Sequence, residues 1–160
     1  MKAFEIFLAL IHFEEGYKAK PYYCSEGYPT VAIGWRIGPK GASLDNYDMY
    51  VTKPVAKVLL TDRVNHIIDR LSKFDWFSSQ NESRKAILIS MAYQLGIRKL
   101  FKFEKMIEAL GKHDFEGAER EAIDSIWYKQ TTNRAVRHSG VLRSGDLELC
   151  YGDELEKYRL

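Results

Sequence analysis

A chain of 160 residues, 46% hydrophobic and 29% charged, suits one compact domain with a sizeable core and leaves no room for a long disordered tract. The net charge of +2 is mild and its acidic residues interleave with the basic ones, which argues against nucleic acid as a partner; no stretch approaches the roughly 20 apolar residues that span a bilayer. Two cysteines, Cys24 and Cys150, are too few for a disulfide framework, and neither they nor the four histidines show metal-ligand spacing, so two free thiols, no metal and no cofactor are expected.

Ala3, Phe4, Phe7, Leu8, Leu10 and Ile11 recur at helical spacing, and Gly16 is placed to end that helix, which sets Glu15 in its last turn. Glu5 interrupts the apolar run and no small-residue cleavage site follows, so the segment reads as a mature helix and the chain as a protein made in the cytoplasm. The period then changes. Pro21 to Cys24, a turn at Glu26-Gly27-Tyr28, and Thr30 to Trp35 read as two strands of a small hairpin or sheet. Gly38, Pro39 and Gly41 mark a loop, and a helix opens near Thr52 and Pro54 with Val55, Val58, Leu59, Ile67, Ile68 and Leu71 as its apolar stripe.

Helices joined by short loops make up the remainder. Ser79 and Glu82 have capping-box spacing ahead of a helix that runs through Ala86, Ile87, Ile89, Met91 and Leu95 to Gly96. Phe103 to Leu110 forms another, stopped by Gly111; Asp114 caps a third that continues through Ala118, Ala122 and Ile123 to Trp127, and a further helix starts near Thr132. The expected architecture is therefore α+β and predominantly helical. It has two lobes: residues 14–50 form a small sheet-bearing lobe, 51–72 the helix between lobes, and 1–13 with 73–160 the helical lobe. A cleft lies between them.

Two blocks carry a family resemblance. Glu15-Gly16 with Tyr22, Cys24, Glu26-Gly27-Tyr28 and Thr30 to Gly34 resembles the active-site segment of phage-type lysozymes of glycoside hydrolase family 24. Met91 to Gly96 and Ser125 to Ala135 resemble that family's helical-lobe motifs in the same order, whereas Arg36 to Tyr50 and the last fifteen residues match poorly. The resemblance implies a muramidase that hydrolyses the β-1,4 bond between N-acetylmuramic acid and N-acetylglucosamine in bacterial peptidoglycan. It also implies a monomer that acts after a membrane-permeabilising partner gives it access to the wall. A virion-associated lysozyme and a peptidoglycan-binding module without activity are the alternatives.

The chemistry of glycoside cleavage needs an acid to protonate the leaving oxygen and a second group that activates water or attacks the sugar. Glu15 is the acid candidate, with Cys24 and Thr30 completing the catalytic set. Glu14 competes, but successive helical residues point about 100° apart and only one can face the cleft. The family's Glu-Gly pair selects Glu15 and implies that Arg134 holds its carboxyl. Glu14 is then expected to pair with Arg137, which shares a helix face with Arg134. Cys24 stands where some family members carry aspartate and others cysteine. Its thiolate could attack the anomeric carbon, giving retention, or Cys24 and Thr30 could position a water, giving inversion; the hydroxyl of Thr30 favours water.

Tyr93, Gln94, Trp127 and Gln130 are candidate saccharide contacts, because amides bond acetamido groups and rings cover apolar sugar faces. For Trp127 core packing weighs equally. Glu26 and Trp35 complete the substrate set, Trp35 standing where T-even members of the family have histidine.

Overall fold

A computed structural model describes residues 1–160. The chain has ten α-helices and one small antiparallel sheet, and 65% of it is helical. The first helix, α1 (Ala3–Glu15), buries the continuous run Phe7 to Ile11 and so lies inside the helical body, against the helix α4 described below. Gly16 ends it with φ 69° and donates its N–H to the His12 carbonyl, a left-handed backbone that glycine adopts without strain.

Strands β1 (Lys18–Tyr23), β2 (Pro29–Ala32) and β3 (Trp35–Arg36) form the sheet in the order β1-β2-β3, with Tyr22 opposite Thr30 and Val31 opposite Trp35. The single strand expected from Thr30 to Trp35 is in fact a second tight hairpin. Ala32 and Gly34 have φ 57° and 61°, so the chain reverses at Ile33-Gly34 instead of extending. A 3₁₀ turn at Leu44–Asn46 follows, with the Ser43 hydroxyl accepting from the Asp45 N–H.

Helix α2 (Lys53–Leu71) corrects the expected apolar stripe. Its buried face is Ala56, Leu60, Val64, Ile67 and Leu71, a clean helical progression, while Val55 and Val58 are 50% and 67% exposed. Two apolar stripes coexist on this helix, and the one that contains Ala56 is the buried one. The short α3 (Asp75–Ser78) leads to α4 (Glu82–Leu95), which is buried almost all round. Asn81, rather than Ser79, caps it: the side-chain Oδ1 of Asn81 accepts from the Arg84 N–H at 3.0 Å.

Then come α5 (Ile97–Leu100), α6 (Glu104–Gly111), α7 (Phe115–Ile123), α8 (Ile126–Gln130) and α9 (Thr132–Ser144). Gly111 lies inside α6, and the reversal comes two residues later at His113, φ 56°. The helix expected from Asp114 to Trp127 is broken in two. Ser125 breaks it by donating to the Ala122 carbonyl at 2.7 Å while accepting from the Tyr128 N–H at 3.1 Å, which starts α8 at a new angle.

Two side chains from the start of α4 secure the far end of α9. Arg84 donates to the carbonyls of Leu142 and Arg143 at 2.7 and 3.0 Å, and Asn81 donates to the Gly145 carbonyl at 2.8 Å, so otherwise orphaned groups at the end of α9 are satisfied. The tail, α10 (Leu147–Tyr151) and a 3₁₀ segment (Gly152–Tyr158), folds back along α1. His12 Nδ1 meets the Tyr158 carbonyl at 2.9 Å, and Phe13 packs edge-on against Tyr151 and Tyr158.

Candidate active site

At the end of α1, adjacent glutamates point to different partners. Glu15 Oε1 accepts from Arg134 Nη1 at 2.6 Å, and its side chain is 19% exposed. No protein donor reaches Oε2. The backbone of Gly34 presses on this carboxyl: a β-carbon at Gly34 would stand 2.7 Å from Oε2 and 2.9 Å from Cδ. Arg134 is held from behind by Ser90, its Nη2 donating to the Ser90 hydroxyl at 2.9 Å and to the Ser90 carbonyl at 3.2 Å.

The Glu14 carboxylate is 3% exposed and fully engaged. Arg137 donates to both its oxygens, Nε to Oε1 at 3.1 Å and Nη2 to Oε2 at 2.7 Å, and the Tyr151 hydroxyl meets Oε1 at 2.8 Å. The bidentate fork and the third donor offset the cost of burying the charge. The pairing expected from the spacing of Arg134 and Arg137 on one helix face is thus present, and Glu14 is removed from the cleft.

Across the cleft, one carbonyl organises the first hairpin. The Tyr28 carbonyl accepts the Cys24 N–H at 3.0 Å and the Thr30 hydroxyl at 2.8 Å, while Gly27, φ 82°, donates its N–H to the Cys24 carbonyl at 2.9 Å. This fixes Cys24 and Thr30 on either side of the turn. With its hydrogen committed to Tyr28, the Thr30 oxygen has lone pairs free to accept from a water. Burial, then the neighbouring Glu15 and Cys24, push the Tyr22 phenol up, so it stays neutral. Lys18 lies over the Tyr22 ring at 4.2 Å.

Glu15, Cys24, Glu26, Thr30, Trp35, Tyr93, Gln94, Trp127 and Gln130 all line one cleft of about 1120 Å³ between the sheet and the helices. They differ in how free they are. Glu26 is exposed and 3.7 Å from Arg36. Trp35 is half-buried, with the Arg63 guanidinium 5.5 Å from its ring. Tyr93 is buried and its hydroxyl donates to the Ile33 carbonyl, joining α4 to the sheet. Trp127 is 4% exposed, packed edge-on against Phe103, and its indole N–H donates to the side-chain Oε1 of Gln94 at 2.9 Å. That contact uses the Gln94 oxygen and leaves its NH₂ donors unpaired, while Gln130 is exposed. Trp127 therefore serves the core as a wall of the cleft.

Several residues of the site escape a reading of the sequence. Arg63, from α2, lines the cleft beside Trp35 and Tyr93. Gly34 presses on the Glu15 carboxyl from the cleft, while Ser90, His138 and Tyr151 act from behind the carboxylates; the one signal available for them is the spacing of His138, four residues after Arg134 on the same helix face.

Residues 12–143 match the family model described as phage lysozyme. The chain is 30% identical over 163 aligned positions to the pre-baseplate central spike protein Gp5 of Enterobacteria phage T4, an alignment that covers 89% of this chain and 28% of that protein. It is 23% identical to a probable T4-type lysozyme 1 of Dictyostelium discoideum, covering 86% of this chain and 94% of the relative. The chain thus spans less than a third of the spike protein and nearly all of the second relative.

Proposed function

Because the chain belongs to the phage lysozyme family, a family of glycoside hydrolases, we propose that it is a muramidase that hydrolyses the β-1,4 bond between N-acetylmuramic acid and N-acetylglucosamine in bacterial peptidoglycan. The observation that carries this reading is the gathering of Glu15, Cys24 and Thr30 along one cleft, the carboxyl at the end of α1 and the other two on the first hairpin. Glu15 supplies the proton to the departing oxygen through Oε2, the oxygen free of Arg134. Arg134 keeps the carboxyl oriented and stabilises the carboxylate that remains after transfer. Cys24 and Thr30 hold the water that attacks the opposite face of the sugar, so the product is inverted. Trp35, Gln94, Gln130 and Glu26 face the saccharide, with Tyr93 and Trp127 as the wall against which it rests.

In this reading the chain works as a monomer in phage-mediated host lysis and reaches the wall once a partner has permeabilised the membrane; no helix of the chain is long and apolar enough to cross one. A virion-associated role is the second reading, favoured by the similarity to a phage spike protein; recovery of the chain with purified particles distinguishes the two. The test of the activity is clearance of purified cell walls by wild type and by Glu15→Gln, with glycan binding measured in parallel. Clearing by wild type and loss of roughly 10²-fold or more in the variant is expected. Binding without clearing by wild type identifies an inactive module instead.

A further inference from the structure

Behind the two glutamates, a line of buried polar groups connects their arginines. His138 is wholly buried, with Nε2 3.0 Å from the Ser90 hydroxyl and Nδ1 2.8 Å from the Tyr151 hydroxyl. Its proton count and tautomer follow from the partners. The Tyr151 hydroxyl has one hydrogen and two candidate acceptors, Glu14 Oε1 and His138 Nδ1, both at 2.8 Å. Donating to the imidazole would leave a phenol oxygen facing a carboxylate with no hydrogen between them, so Tyr151 donates to Glu14 and accepts from Nδ1–H. Nε2 is then bare and accepts from Ser90. Burial and the charges of Arg134 and Arg137 keep the ring neutral, as this pattern requires.

The donors consequently run one way, from Arg134 to Ser90 to His138 to Tyr151 to Glu14. Ser90 is the sensitive link. A serine inside a helix can turn its hydroxyl onto the carbonyl four residues earlier, here Ala86. In that rotamer the hydroxyl turns away from Arg134, whose Nη2 keeps only the longer bond to the Ser90 carbonyl at 3.2 Å. The Nε2 acceptor of His138 competes with that carbonyl for the hydroxyl hydrogen and keeps the oxygen lone pairs turned to the guanidinium.

We infer that His138 is a positioning residue for catalysis, which holds Ser90 in the rotamer that fixes Arg134 and, through Arg134, the carboxyl of Glu15. The inference rests on the muramidase reading for its kinetic consequence and on the geometry alone for its spectroscopic one. The competing role is packing, since the His138 ring lies 5.9 Å from that of Trp127.

Two amides separate these roles. In His138→Gln the side-chain oxygen reaches the Nε2 position and still accepts from Ser90; in His138→Asn the amide reaches only the Nδ1 position and serves Tyr151. Both lose the ring and its packing. Expected in His138→Asn is a fall in kcat of roughly 10- to 100-fold with KM within about twofold, and in His138→Gln a return to within about fivefold of wild type. Ser90→Ala reproduces the Asn variant and carries the contrast if that variant fails to fold. Nitrogen NMR of the Arg134 guanidinium gives a readout independent of activity. Separate Nη resonances, reporting a fixed group, are expected in wild type and His138→Gln, and averaged ones in His138→Asn and Ser90→Ala. Equal behaviour of Gln and Asn in both measurements, or a rigid Arg134 in Ser90→Ala, overturns the inference. A wild type that clears no walls removes the muramidase reading and leaves the NMR comparison to decide the role of His138.

Discussion

Gly34→Ala is a demanding test of how the acid is held. The added β-carbon meets Glu15 Oε2 at 2.7 Å, and both Cδ and Cγ at 2.9 Å, where ordinary contact begins near 3.4 Å. The carboxyl must retreat by about 0.7 Å, yet Arg134 grips its other oxygen at 2.6 Å and is itself fastened to Ser90, so the retreat strains an ion pair that has little slack. A misplacement near 1 Å costs on the order of 10²-fold in rate, and a fall in kcat of roughly 10- to 100-fold is expected, with KM little changed. The left-handed backbone at φ 61° adds about 1–2 kcal/mol of destabilisation for an alanine, or roughly 2–8 °C in Tm for a chain of this size. Wall turbidity at several substrate concentrations and thermal melting by circular dichroism measure the two effects separately. A variant that melts lower but clears walls at the wild-type rate refutes the claim that the backbone of Gly34 sets the position of the acid.

Cys24→Asp is expected to remain active, because a carboxylate at that turn can hold the same water; a folded but inert variant would show that the thiol does something a carboxylate cannot. NMR of the first-formed anomer should show inversion, and a retained anomer or an adduct on Cys24 detected by mass spectrometry would replace water attack with thiolate attack. Stability should fall on acidification below about pH 6.5. His138 is held below its ordinary value by burial and by Arg134 and Arg137, so the unfolded chain takes up a proton there that the folded chain refuses, at a limiting cost of about 1.4 kcal/mol per pH unit. Glu14, 3.9 Å from Nδ1, is already neutralised by Arg137 and bonded by Tyr151. Melting temperatures of wild type and His138→Gln between pH 7.5 and 5 check this by a flatter slope in the variant.

The elements that sequence reveals are those governed by local chemistry. Gly16 ends α1 where the helix must stop, which is enough to set Glu14 and Glu15 on different sides, and Arg134 and Arg137 share a face by spacing alone. Elements governed by distant partners are illegible. Nothing near Val55 and Val58 says that the stripe through Ala56 is the one that meets other helices. A run of β-branched residues from Thr30 reads as one strand because alanine gives no warning of the positive φ it adopts at Ala32. Ser90, His138 and Tyr151 look like unrelated polar residues until folding joins them, and the dual use of the Tyr28 carbonyl is invisible because backbone acceptors carry no sequence signature.

The pairing of Glu15 with Arg134 joins residues 119 positions apart, Glu14 with Tyr151 spans 137, and His12 with Tyr158 spans 146. Closing contacts of that length is entropically late in folding, since the chain must be largely collapsed before such partners meet. During synthesis the acid is made 119 residues ahead of its arginine. A chain that ends before Arg134 consequently carries its glutamate without the group that orients it. In the muramidase reading, the wide sequence span of the site delays activity until both partners have been made.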